Sequence, residues 1–139
     1  MERDELRMLT DALLEQLPLG VILTDPQGNM VLVNQTAERI RHIERQKMLG
    51  RNVLDCHGAK SRPNVQRAVE NIMQNPETVY KRMVDDTRNG RFYINTYAGL
   101  VNTGGEAIGM AVLTEDVTDK RKLELERATS YQMMEESSN

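Results

Sequence analysis

Two tight turns in the second half of the chain constrain its fold more than any other feature. Residues 78–84, 91–101 and 107–115 are three runs with strand character. Asp85-Asp86-Thr87-Arg88-Asn89-Gly90 joins the first pair, and Asn102-Thr103-Gly104-Gly105-Glu106 joins the second. Asn89-Gly90 supplies the positive φ that short hairpin turns require. Connections this short cannot hold a parallel crossover, which takes a dozen or more residues. The three strands must therefore be antiparallel neighbours. Within them Phe92, Ile94, Thr96, Ala98 and Leu100 share one face, as do Ile108, Met110 and Val112.

The first half adds a hairpin and several helices. Leu6, Leu9, Leu13 and Leu17 recur at helical spacing and form a stripe that has to dock somewhere, since so short a helix is marginal alone. Pro18 stops that helix. Val21-Ile22-Leu23-Thr24 and Met30-Val31-Leu32-Val33 are strands around the turn Asp25-Pro26-Gln27-Gly28-Asn29. Asn34 has the position and chemistry of an N-cap for a short helix behind it. Residues 42–61 have no clear period and read as short helical turns and loop. Ser61 as N-cap and the early Pro63 announce a longer helix, with Val65, Val69, Ile72 and Met73 on its apolar face. Residues 119–136 form a charged helix, and the tail at 137–139 is expected to fray. The predicted fold class is α+β: a five-stranded antiparallel sheet with helices on one face, flanked by N- and C-terminal helices.

Composition removes several functions. The chain has 139 residues, the length of one domain, with one Cys, two His and a net charge of −3. Cys56 alone forms no internal disulfide, and one Cys with two His makes no Cys₄ or Cys₂His₂ zinc site. The longest apolar run is far short of the roughly 20 residues of a membrane span. Met1-Glu2-Arg3-Asp4-Glu5 does not open a signal peptide. The acidic balance argues against a nucleic-acid surface. A reduced, cytoplasmic domain without membrane contact is expected.

Four segments carry a resemblance to a known family. Leu17-Pro18-Leu19-Gly20-Val21-Ile22-Leu23-Thr24-Asp25 resembles the opening of a PAS domain. Residues 28–38, from Gly28 through Asn34 to Ala37 and Glu38, resemble its G-x-I-x-x-x-N-x-A-x-E stretch. Leu49-Gly50-Arg51-Asn52-Val53 resembles the segment before its long helix, and Asp116-Val117-Thr118-Asp119-Lys120 its ending. The resemblance divides the chain into a flanking helix (1–17), a PAS domain (18–118) and a signalling helix with its tail (119–139). It implies a sensory module that binds a small ligand or cofactor and relays a signal to a linked effector such as a histidine kinase, the present chain being the sensor segment. Asp116 and Thr118 flank the strand-to-helix junction and are the candidate relay residues. The alternative is a ligand-free dimerisation module. In either case the flanking helices offer a homodimer interface.

The ligand expectations centre on Asp55-Cys56-His57-Gly58-Ala59-Lys60-Ser61-Arg62-Pro63. Haem binding through His occurs in the PAS family, so His57 is a candidate iron ligand with Cys56 beside it and Met83 as second ligand. Haem-binding relatives usually carry that His in the long helix, which here has none. Lys60, Ser61 and Arg62, at a helix N-terminus, are candidate anion contacts. A flavin adduct is disfavoured: the light-sensing subclass resembles G-x-N-C-R-F-L-Q, and Val53 holds its Cys position, with Cys56 three residues later. A small thiol enzyme is the weakest alternative, because the adjacent side chains of Asp55, Cys56 and His57 diverge. The segment itself is expected not to be an enzyme.

Overall fold

The computed structural model describes residues 1–86 and 88–137. Helix α1 (Arg3–Gln16) leads into strands β1 (Gly20–Thr24) and β2 (Met30–Val33). The short helices α2 (Gln35–Arg41) and α3 (Arg45–Met48), a 3₁₀ turn at Val53–Cys56 and the longer helix α4 (Arg62–Gln74) follow. Strands β3 (Val79–Asp86), β4 (Arg91–Val101) and β5 (Ala107–Asp116) then run into helix α5 (Thr118–Ser137). The sheet order is β2-β1-β5-β4-β3, antiparallel throughout. The α+β class and the five-stranded sheet are as the turn chemistry predicts. Residues 138 and 139 of the expected frayed tail lie outside the described residues.

Register decides which residues meet the helices. Tyr97 pairs with Val112, Ile22 with Val112, and Asn95 with Thr114. These residues face α2 and α4 and are buried. Ile22, Met30, Val53, Val65, Ile72, Tyr97 and Met110 form the core. Burying each large aliphatic side chain contributes about 1.5–3 kcal/mol. Phe92, Ile94, Thr96, Ala98 and Leu100 do share a face, but it is the opposite one. Gly99 lets the exit of α4 lie on the inner face: a Cβ there would sit 2.8 Å from Pro76.

Asn34 organises the N-terminal half. Its Oδ1 accepts the N–H of Val21 (2.8 Å) and of Ala37 (2.9 Å). Its Nδ2 donates to the carbonyls of Leu14 (2.6 Å) and Leu19 (3.0 Å). One buried amide thus caps α2 and ties it to β1 and to the end of α1.

The α1 stripe departs from expectation. Leu6, Leu9 and Leu13 are 57%, 57% and 59% exposed, so within one chain they cover nothing. Helix α1 is held instead by polar contacts at its C-terminal end. Arg45 donates to both oxygens of Glu15 (2.7 and 2.9 Å) and to Glu38 (2.8 Å). Ser61 also differs. It precedes α4, but its backbone is helical and its hydroxyl makes no capping bond.

The Arg45 contacts hold the Glu15 carboxyl below its ordinary value. The Arg45 backbone N–H and guanidinium do the same for Glu38. Both carboxyls have depressed folded pKa values, so their contribution is complete above about pH 4.5 and is lost as pH falls through the folded values. Urea unfolding between about pH 6 and pH 3 should show acid destabilisation that Arg45→Ala reduces. An identical pH slope in that variant would count against the clamp.

Candidate functional site

A cavity of about 450 Å³ opens between α2, α3 and the 3₁₀ turn on one side and the inner sheet face on the other. That volume lies within the roughly 300–1,000 Å³ of small-molecule sites. Ile40, Ile43, Met48 and Val84 form its apolar wall. Arg41, the last residue of α2, crosses to the sheet. It donates from Nε and Nη2 to Thr114 Oγ1 (3.2 and 2.8 Å) and from Nη2 to Asn95 Oδ1 (3.2 Å). Thr114 in turn donates to Asn95 Oδ1 (2.8 Å). The polar pair Asn95–Thr114, buried inside a sheet, thereby has its hydrogen bonds met.

Cys56 lines the same cavity, and His57 stands next to it. His57 Nε2 is 3.4 Å from the Tyr97 hydroxyl. Burial pushes the His57 pKa down, with Arg41 and Arg82 adding to the shift, so the ring is neutral at pH 7. Burial pushes the Cys56 thiol up, against the pull of Arg41 and Arg51. Burial also raises Tyr97, again opposed by Arg41 and Arg82. Three guanidinium groups therefore bear on one small cluster.

The sequence-predicted site residues separate. Cys56 and His57 do reach the pocket region. Met83 does not: Tyr80, Arg82 and Val84 of β3 turn inward, so Met83 points to the other face and is 52% exposed. It lines a small hollow with Ile94, Val117 and the first turns of α5. His57 and Met83 therefore cannot ligate one iron, because the sheet stands between them. With His57 Nε2 turned to Tyr97, the residues present do not fit haem. Among the described residues no group of three or more His, Cys, Asp or Glu is placed to hold a metal ion. Lys60 and Arg62 are exposed and absent from the cavity wall, and Arg62 faces Asp55 at 3.6 Å. Asp55, Cys56 and His57 form no triad, since Asp55 has that outward partner.

Asp116 and Thr118 form a junction of several bonds. The Thr118 N–H donates to Asp116 Oδ1 (3.0 Å), and its hydroxyl donates to the same oxygen. Thr118 Oγ1 accepts the Phe92 N–H (3.0 Å), and the Val117 N–H donates to the Phe92 carbonyl (2.9 Å). Burial tends to raise the Asp116 carboxyl, but the Thr118 hydrogen bonds and Arg91 outweigh it and hold it below its usual value. The start of α5 is thereby fastened to β4.

Sequence reading missed Arg41, Asn95, Thr114 and Tyr97. The available signal was parity: Asn95 and Tyr97 alternate with Ile94 and Thr96, and so turn towards the helices.

The sequence profile of the PAS fold matches residues 14–122. No curated protein sequence matches. Among solved structures, a C-terminal domain from Streptococcus mutans superposes with a TM-score of 0.70 at 20% identity, over 84% of this chain and 89% of that one. The PAS domain of Bordetella pertussis BvgS gives 0.67 at 18%, over 95% and 99%. A sensory box sensor histidine kinase from Vibrio cholerae gives 0.59 at 18%, over 83% and 94%. At these identities the likeness concerns the fold.

Proposed function

The chain belongs to the PAS-fold family, and on that premise we propose that it is a sensory domain whose cavity takes a small ligand and whose α5 relays the occupied state to a linked effector such as a histidine kinase. The observation that carries this reading is the distance from cavity to junction. Asn95 pairs with Thr114, and two residues along the same strands Tyr93 pairs with Asp116. Tyr93 lines the cavity, while Asp116 holds Thr118. Two residues of strand span roughly 7 Å. A ligand that moves Arg41, Asn95 or Thr114 therefore acts one pleat away from the bonds that aim α5. Binding that prefers one arrangement shifts the population of the other. The domain binds and relays rather than catalyses. The Cys56 thiol, raised by burial, is a poor nucleophile at neutral pH, which supports that reading.

The effector reading draws on the resemblance in fold to a sensor histidine kinase. No described helix is long and apolar enough to cross a membrane. The ligand-free alternative has support in α1, whose exposed leucines suit a second copy of the chain. Dimerisation and ligand binding are compatible.

Asp116→Ala removes the cap of α5 and should cost about 1 kcal/mol of stability. In a full-length protein it should leave ligand affinity intact and abolish the response of the output. An output that still follows ligand would overturn the relay. Sedimentation should show a dimer that Leu6→Glu with Leu9→Glu dissociates; a wild-type chain that stays monomeric well above micromolar concentration contradicts the homodimer.

A further inference from the structure

The cavity wall holds two guanidinium groups, Arg41 and Arg51, with which no carboxylate of the described residues forms an ion pair, and we infer that its ligand is a small organic acid, with the carboxylate held between Arg41 and Arg51 and the carbon body against the apolar wall. This rests on the reading of the cavity as the sensory site.

Arg41 spends Nε and Nη2 on Thr114 and Asn95. The guanidinium also lies against the Tyr97 hydroxyl, so its partners within the chain are all uncharged. Arg51 lies in the cavity wall, whereas Arg82 stands inward on β3 beside Tyr80 and Val84 but outside that wall. Among the described residues, none of the three has a carboxylate within 4 Å. Two acids, Asp55 and Asp86, also border the cavity, and neither contacts these arginines. Asp55 faces Arg62, and Asp86 accepts from Asn89 at 2.8 Å. Arg41 bears on Cys56, His57 and Tyr97, Arg51 on Cys56, and Arg82 on His57 and Tyr97.

A partly buried guanidinium without a counter-charge is costly, and an arriving anion removes that cost. The planar fork of arginine matches a carboxylate in bidentate fashion. Ile40, Ile43, Met48 and Val84 favour a ligand with a hydrocarbon portion over a bare inorganic anion. The charge and the apolar wall together specify an amphipathic acid.

The test is a titration of isotope-labelled protein, followed by NMR, with three probes: hexanoate, 1-hexanol and inorganic phosphate. Hexanoate should move the Arg41 Nε–H, the Asn95 side-chain amide and the Tyr97 amide in a saturable way. Hexanol and phosphate should each bind at least roughly tenfold more weakly, the factor expected for a lost charge-assisted contact or a lost apolar one. Arg51→Gln should weaken hexanoate roughly tenfold and leave hexanol unchanged. The Arg51 side chain has no hydrogen bond or ion pair among the described residues, so the variant should keep the fold. Hexanol binding as tightly as hexanoate would overturn the acid inference while leaving a ligand cavity in place. So would phosphate binding as tightly, an adventitious ion only. Cavity resonances unmoved by any probe would overturn both the inference and the sensory reading beneath it.

Discussion

The rest of the structure depends on the side-chain amide of Asn34. A primary amide has two donor hydrogens and an oxygen that accepts twice, and here all four are used within the protein. The four partners belong to different segments: the end of α1, the chain entering β1, β1 itself and the first turn of α2. Losing the amide would leave several buried backbone groups unsatisfied at once, each costing on the order of 1–3 kcal/mol. It would also free α2 to rotate. That helix is only two turns long and ends in Arg41, so its first turn sets where the guanidinium lands. The cavity's main cation is therefore placed by an amide at the other end of its helix.

From Arg41 the dependence continues across the sheet. A cation over the inner face of β4 and β5 requires polar partners, and Asn95 and Thr114 supply them in adjacent register. The same two strands end at the bonds that fix the start of α5. Helix α5 has little packing of its own beyond that junction: Leu123 and Leu125 are exposed, and its apolar residues form no stripe. Its direction follows from Asp116, Thr118 and Phe92. A helix held by a few hydrogen bonds at one end is readily redirected, which suits a relay and would not suit a core element.

Much of this was legible in the sequence, for identifiable reasons. Asn89-Gly90 and the glycine-rich second turn left no topology but an antiparallel one. Asn34 announced a cap by its place before a short helical run, and Asp116 and Thr118 by theirs at a strand end. The cavity was less legible. An arginine at the C-terminal end of a helix looks like a solvated charge that favours the dipole, and only the approach of the sheet makes Arg41 a pocket residue. The side-chain chemistry of Met83 suits an iron ligand beside His57, but strand parity separates it from Tyr80, Arg82 and Val84. Ser61 has the residue type of a cap without the extended backbone that a cap needs. The leucines of α1 declared an amphipathic helix, but what covers a stripe is not written in the stripe.

The central claim is that occupancy of the cavity is felt at the root of α5. It is tested most directly by amide hydrogen exchange of the junction, with the cavity empty and then saturated with hexanoate. The account predicts that exchange changes at Phe92, Val117, Thr118 and the first turn of α5, as well as around Arg41 and Asn95. Protection confined to the cavity wall, with the junction amides unchanged, would contradict it.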